Sequence, residues 1–298
     1  MTKVPQNLIK TALRTPCVSA AVVCAEQLSV LESVKDALKL NLIKPILIGD
    51  KNKILELSDS IKLDINNIEI INELNEKNCT SISFNLAKKN QVKIIVKGNI
   101  HTDVLMRNYL KKEFGLLQGK RLSHIWHMTC DKINKPIFIT DGALNVSPRI
   151  EIKLHIIKNA VEFAIKTGLT KPKVAILSGT EDPITSMPSS IEANEIMELI
   201  SKENLDAYIY GPLAFDNAVS KKAAKIKNIN NEVAGDADIL IVSNLEMGNA
   251  LSKIMVYFMG ACAAGIIVGG KVPVVVPSRA DDNISKLASI AAAIIAMQ

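Results

Sequence analysis

The sequence predicts an α/β protein of two α/β domains with mostly parallel sheets, and three observations carry that expectation. Short β-branched runs alternate with segments whose apolar residues recur at helical spacing. The strand-like runs are apolar throughout, as in parallel strands covered on both faces. The length of 298 residues, set against a usual domain size of about 150, gives roughly two domains.

In chain order, Val18–Val23 is the first expected strand, and Leu28, Leu31, Val34 and Leu38 mark the amphipathic helix after it. Lys3, Lys10 and Arg14 ahead of Val18–Ala25 imitate a short signal peptide. The apolar run passes straight into that helix, however, and reads as a buried strand. Pro45–Ile48 and Val92–Val96 continue the series. Leu122–Met128 and Pro136–Ile139 stand too close for a helical crossover, so they are expected to be antiparallel or to lie at a domain junction. A helix bearing Ile152, Ile156, Ala160 and Phe163 follows, opened by Ser147 as N-cap and Pro148 as first residue and closed by Gly168.

Val174–Leu177, Ala207–Tyr210 and Ile239–Val242 are the next strands. The uncharged stretch Ile254–Gly270, with its glycines and the flanking Pro273, reads as a buried helix and then a strand, not a membrane span. Val272–Val276 and an alanine-rich helix over Leu287–Met297 complete the chain. The expected division is a discontinuous first domain, residues 1–142 plus about 272–298, around a second at about 143–271.

Composition narrows the function. With 48% hydrophobic and 22% charged residues the chain is neither disordered nor linker-like, and it is long enough to bury a core without disulfides or metals. Its five cysteines form no C-x-x-C and no zinc-type spacing, which favours reduced thiols packed as small apolar groups in a cytoplasmic protein. The net charge of +6 is modest, with clusters at Lys111–Lys112, Lys120–Arg121 and Lys221–Lys227. One Trp and four Tyr offer few stacking platforms, so a small anionic ligand is favoured over nucleic acid.

Ligands of parallel sheets bind at the carboxyl ends of strands, where following helices offer free N–H groups. Four such loops stand out. In the first, Gly98 permits close backbone approach, Lys97 supplies a charge, Thr102 or Asp103 caps a helix, and Arg107 lies one turn inside it. An ordinary exposed turn explains Lys97-Gly98 equally well. The second, Gly211-Pro212 with Asp216 and Asn217 beyond, is first of all a turn signal. The third runs from Ser243 to Asn249 through Gly248, ahead of a helix expected near Ala250 that carries Lys253, and suits a phosphate or carboxylate. It matches neither the P-loop nor the dinucleotide fingerprint.

In the fourth, Ser278 and Arg279 end an apolar strand just before Asp281 and Asp282. Arg holds phosphate oxygens bidentately, whereas helix capping by either Asp, with Arg279 as ion-pair partner, is the structural alternative. His101, His124, His127 and His155 make no hydrolase or metalloprotease pattern.

As a set these loops resemble the phosphate acetyl/butyryltransferase family along nearly the whole chain. The stretches are VKGNIHTDVLMR (96–107), LSHIWHM (122–128), ITDGALNVSP (139–148), YGPLAFDNAVS (210–220), VAGDADILIVSNLEMGNALSK (233–253) and AAGIIVGGKVPVVVPSRADDNISKLASIA (263–291). The resemblance implies a fold like that of isocitrate and isopropylmalate dehydrogenases, a homodimer, and a site in an inter-domain cleft. It implies reversible transfer of a short acyl group, butyryl or acetyl, between CoA and inorganic phosphate. CoA and acyl-CoA are then substrates, with acyl phosphate the other acyl carrier, and there is no permanent cofactor, metal, nucleic acid or membrane partner.

By the same resemblance Ser278, Arg279, Asp281 and Asp282 are candidate catalytic residues. Lys97, Gly98, Thr102, Arg107, Asn145, Gly211, Pro212, Asp216, Gly248, Asn249 and Lys253 are candidates for binding substrate, CoA or phosphate. One departure is plain: the acetyltransferases carry an Asp seven residues after the Ser of the Ser-Arg pair, and here that position is Ser285. Two other readings are an NAD- and metal-dependent dehydrogenase of the same fold and a non-enzymatic CoA-binding module. Asp236 and Asp238 flank the start of a strand and do not supply the metal ligands that the first requires.

Overall fold

A computed structural model describes residues 5–278 and 281–298. The chain begins with α1 (Gln6–Ala12), β1 (Val18–Val23), α2 (Leu28–Lys39), β2 (Ile43–Gly49), α3 (Lys51–Ser60), β3 (Glu69–Asn72), α4 (Glu76–Lys88), β4 (Ile94–Lys97) and α5 (Thr102–Tyr109). It continues through β5 (Ser123–Thr129), β6 (Ile137–Thr140), α6 (Ile150–Lys166), β7 (Lys173–Leu177), α7 (Pro188–Ile200), β8 (Tyr208–Leu213), α8 (Phe215–Val219) and α9 (Lys221–Ile226). The last elements are β9 (Ile239–Ile241), α10 (Leu245–Met259), β10 (Cys262–Val268), β11 (Val274–Val275) and α11 (Asn283–Ala296).

Two compact units result. One holds Arg121–Ala261, and the other holds the described residues up to Lys120 together with Cys262–Gln298. The chain therefore changes unit after 120 and after 261, earlier than the positions near 142 and 272 expected from the sequence. Strand pairing explains both shifts. β5 is the antiparallel partner of β6, and β6 runs parallel to β9, so the whole hairpin stays in the middle unit. β10 pairs antiparallel with β11, which draws 262–268 into the outer one.

In the discontinuous unit the strand order is β3-β2-β1-β4-β11-β10, parallel except for β10. β1 and β4 are buried almost throughout, as continuous apolar runs demand. Helix α11 is the most deeply buried helix segment here, with Leu287 to Ile295 enclosed without interruption. β3, half-exposed at the sheet edge, has no signature in the sequence reading because its alternation (Glu69, Ile70, Ile71, Asn72) is weak and polar.

In the 121–261 unit the order is β5-β6-β9-β7-β8, parallel from β6 onward. The amino ends of its strands are clamped by ions. Lys135 Nζ lies 2.6 Å from Asp238 Oδ1, and Lys173 Nζ lies 2.6 Å from Asp236 Oδ2. Its two lysine partners, Lys173 above all, hold the Asp236 carboxyl down to about 2. These two Asp are thus structural, at the sheet edge opposite the carboxyl ends. Among the described residues no group of three or more His, Cys, Asp or Glu is placed to hold a metal ion, and no helix is long and apolar enough to cross a membrane.

Three local expectations are corrected. α6 begins at Ile150 with Arg149 as N-cap, two residues beyond the Ser147-Pro148 start, after a loop tied to the Asp141 carboxylate. Gly211-Pro212 lies inside β8, not in a turn beyond it, and its peptide bond is cis. Strand β7 allows this because Gly211 has no side chain: a Cβ there would stand 2.6 Å from that of Ile176. α10 begins at Leu245 instead of near Ala250, because the Asn244 side chain accepts the Met247 N–H at 2.9 Å and starts the helix early. Gly248 and Asn249 are consequently helical, and Lys253 lies beyond the first turn, exposed.

Candidate active site

In the discontinuous unit, β4 and β11 run side by side, with Ile95 opposite Val274 and Val96 opposite Val275. Their carboxyl ends deliver Lys97-Gly98 and Val276-Pro277-Ser278 to the same sheet edge. Gly98 is required there. Its N–H and that of Asn99 donate to the carbonyls of Val23 and Cys24 at 2.8 Å each, and a Cβ would meet those oxygens at 2.5 and 2.2 Å. Lys97 is 5% exposed, a buried ammonium at the end of a central strand. Thr102 is the first residue of α5 and not its cap. His101 holds the N-cap position without a side-chain bond. Arg107 faces outward on α5, 3.6 Å from Asp103 one turn earlier, and both side chains are largely exposed.

In the fourth loop Ser278 and Asp281 are joined by two hydrogen bonds. The Asp281 carboxylate accepts the Ser278 N–H at 2.7 Å, and the Asp281 N–H donates to the Ser278 carbonyl at 3.1 Å. Asp282 is the N-cap of α11, accepting the Ser285 N–H at 2.8 Å. Ser278 itself is exposed. Arg279 lies outside the described residues.

The Ser285 position, where the acetyltransferases carry Asp, is buried against β10. Its hydroxyl accepts the Ala263 N–H at 3.4 Å and lies 3.8 Å from the Cys262 sulfur.

In the 121–261 unit the corresponding edge centres on Asp141, 3% exposed. One carboxylate oxygen accepts the N–H groups of Ala143 and Leu144 at 3.0 and 2.9 Å; the other accepts from His124 N–H and from Asn145 Nδ2 at 2.9 and 2.7 Å. Asn145 also donates to the Leu122 carbonyl at 3.0 Å, so it serves as a brace for this loop. Gly248 packs on Gly142, and Asn249 Nδ2 reaches the Gly142 carbonyl at 3.5 Å. Asn145, Gly248 and Asn249 thus gather around one loop. Gly211 and Pro212 on β8 stand two strand positions from β9, beyond β7, with Asp216 exposed on α8.

Burial pushes the imidazoles of His124 and His127 on β5 down to about 4, against a smaller opposing pull on His124 from Asp141. Both are neutral near pH 7. Among the described residues, both ring nitrogens of His124 and Nδ1 of His127 have no hydrogen-bond partner.

The sequence reading missed an open groove of about 720 Å³ on this unit, lined by Ser147, Arg149, Ser189, Glu192, Ser243 and Asn244 among others. It spans the starts of α6, α7 and α10. Serines and one exposed arginine scattered over a hundred positions leave no local signal. The advance pointers were the Ser147-Pro148 helix start and the Ser243-Asn244 loop.

These features define an α/β protein whose polar and charged loops collect at the carboxyl ends of parallel strands. Residues 73–294 match the sequence profile of the family described as phosphate acetyl/butaryl transferase. A phosphate acetyltransferase of Rhizobium meliloti is 37% identical over 259 residues, 87% of this chain and 82% of that one. A phosphate butyryltransferase of Clostridium acetobutylicum is 36% identical over 274 residues, 92% of this chain and 91% of that one. Among solved structures, a branched-chain phosphotransacylase from Enterococcus faecalis superposes with a TM-score of 0.84 at 33% identity, covering 94% of this chain and 99% of that one. The chain belongs to the phosphate acetyl/butyryl transferase family. A 4-hydroxythreonine-4-phosphate dehydrogenase structure from Salmonella typhimurium, 12% identical with a TM-score of 0.58, shares the fold alone.

Proposed function

We propose that the chain catalyses acyl-CoA + phosphate ⇌ acyl phosphate + CoA, with a short acyl group. The observation that carries this is the Ser278 turn set beside the buried Lys97 at neighbouring strand ends, within a chain matched by acyltransferases over nearly its whole length. A phosphate oxygen attacks the thioester carbonyl carbon, and the C–S bond breaks as CoA leaves as thiolate. No covalent enzyme intermediate or redox cofactor enters this balance.

Arg279 is assigned to the phosphate and the Ser278 hydroxyl to the thiol or carbonyl, with Lys97 adding positive charge at the strand end. Gly98, Thr102, Arg107, Asn145, Gly211, Pro212, Asp216, Gly248, Asn249 and Lys253 are assigned to binding or shaping the substrate surface. Asp281 and Asp282 are assigned to the thiol proton. A thiol with a pKa of about 8.5 needs little help near neutral pH. Neither the dehydrogenase nor the pure binding-module reading is favoured by the relatives.

The enzyme is proposed to be cytoplasmic and to work as a homodimer. Ile254, Tyr257 and Phe258 leave an apolar stripe on α10 that is 50%, 68% and 79% exposed, a surface suited to cover by a second copy. Thiol release from acetyl-, propionyl-, butyryl- and valeryl-CoA, made dependent on phosphate, tests the activity. Absence of phosphate-dependent release with all four overturns it.

A further inference from the structure

We propose that Lys286 is a positioning residue for the Ser278 turn, an assignment that rests on the acyltransferase reading of that turn. Lys286 lies in the first turn of α11 and is only 3% exposed. A lysine buried this far is uncommon, since its ammonium must find partners inside the protein. Its Nζ donates to the main-chain carbonyl of Asp281. Its own N–H donates to the Asp282 carbonyl at 3.1 Å. Burial lowers its pKa, while Asp281, Asp282 and Glu32 hold it up.

The Asp281 that Lys286 grips by its carbonyl is the residue whose carboxylate takes the Ser278 N–H at 2.7 Å. The chain of contacts therefore runs from a fixed helix, through Lys286, to the Asp281 backbone and on to Ser278. Ser278 follows a strand of only two residues, Val274–Val275. So short a ladder orients a following loop weakly, and an anchor from α11 supplies what the strand does not. On the other side α11 is fastened to β10 through the Ser285 and Ser289 hydroxyls. Glu32, on α2, accepts from Asn283 Nδ2 at 2.9 Å and places a carboxylate in the same neighbourhood. Lys286 touches no reacting atom in this account. It sets where the Ser278 hydroxyl is presented.

K286M keeps most of the buried stem and removes the charge and the donor, whereas K286R keeps both. Two readouts are needed: phosphate-dependent thiol release, and amide hydrogen exchange of peptides spanning 276–283. In K286M, kcat is expected to fall about 100-fold, the scale of a misplaced catalytic group, with KM for acyl-CoA changed less than threefold on the order expected when binding contacts persist. Exchange at the Ser278 and Asp281 amides should quicken at least tenfold while the rest of α11 keeps its protection, and K286R should recover most of both. A folded K286M with parent-like exchange in 276–283 overturns the proposal, whatever reaction the chain performs. If K286M does not fold, K286R decides: loss of the amide protection in folded K286R overturns it. If the unaltered chain shows no thiol release, the acyltransferase reading fails, and the exchange arm still decides the role of Lys286.

Discussion

The hydroxyl of Ser289 accepts the N–H of Gly265 at 2.9 Å and donates to the Ser285 carbonyl at 2.7 Å, so one side chain joins α11 to β10 and to its own preceding turn. One turn earlier Ser285 repeats the bond to Ala263 at 3.4 Å. Residues four apart on a helix share a face, and residues two apart on a strand share an edge, so the two periods coincide here.

Ser289 is fully buried, so S289A leaves the Gly265 N–H without a partner. The cost of such an orphaned donor is about 1–3 kcal/mol. S285A is expected to cost less, because its bond to the strand is longer. Urea unfolding of both variants checks the order, and equal midpoints for S289A and the parent would rule out the stitching role.

The same pair shows what the sequence could and could not tell. The Ser285 departure was visible as a missing Asp, but a hydroxyl bound to a strand more than twenty positions away is a tertiary fact without local pattern. Strongly periodic or apolar segments were legible to within about two residues at their ends: β1, β4, β7, β9 and the body of α6 lie where the residue pattern puts them, because burial dictates them. The Leu122–Met128 run and its neighbour are indeed antiparallel, as their short connection requires. The errors lie at boundaries. Gly248 looked like a loop glycine, yet the Asn244 cap moved it into α10, where it packs against Gly142. The Gly211-Pro212 dipeptide signalled a turn, but β8 absorbs it. Lys286 passed unnoticed because a lysine among helical residues reads as solvated surface, and only the fold buries it.

Gly98→Ala is expected to be among the most damaging single changes in the chain. Its Cβ would stand 2.2 Å from the Cys24 oxygen and 2.5 Å from that of Val23, and neither is the end of a flexible side chain. Both carbonyls are held by the N–H groups of Gly98 and Asn99, so relief breaks hydrogen bonds of the loop itself. A loss of roughly 2–3 kcal/mol or more follows from overpacking of this kind. Thermal unfolding measures it, and a melting temperature within one or two degrees of the parent's, on the order of measurement scatter for a loss below 1 kcal/mol, would contradict it.

The buried imidazoles on β5 give a pH signature. His124 and His127 have folded-state pKa values of about 4, below the unfolded value of about 6.5. Between those values the unfolded chain binds more protons than the folded one, so stability falls as pH drops from about 6.5 toward 4. His127 stacks edge-on against Phe138, with ring centroids 5.1 Å apart, and an aromatic replacement fits that contact. His127→Phe should therefore lessen the acid dependence without harming stability near pH 7. Urea midpoints at pH 7.0 and 4.5 make the comparison, and an unchanged difference between the two would refute the assignment.

The final expectation concerns chain length and depends on the proposed activity. Acetyltransferases of the family carry Asp seven residues after the Ser of the Ser-Arg pair, whereas this chain has Ser285 there, buried against β10. The relatives at similar identity include both an acetyl- and a butyryltransferase, so overall identity does not choose between them. By the family resemblance, Ser278-Arg279-Ala280-Asp281 has the arrangement of butyryltransferase-like members, and the longer acyl group is expected on that ground. Butyryl exceeds acetyl by two methylenes, each worth about 0.8 kcal/mol when buried in an apolar pocket. A fitting pocket then favours butyryl-CoA by about tenfold in kcat/KM. Initial rates with both thioesters at saturating phosphate provide the ratio. A value for acetyl-CoA more than about tenfold above that for butyryl-CoA, the full span of such a pocket reversed, would show the small-pocket acetyltransferase form despite Ser285, while leaving acyl transfer to phosphate intact.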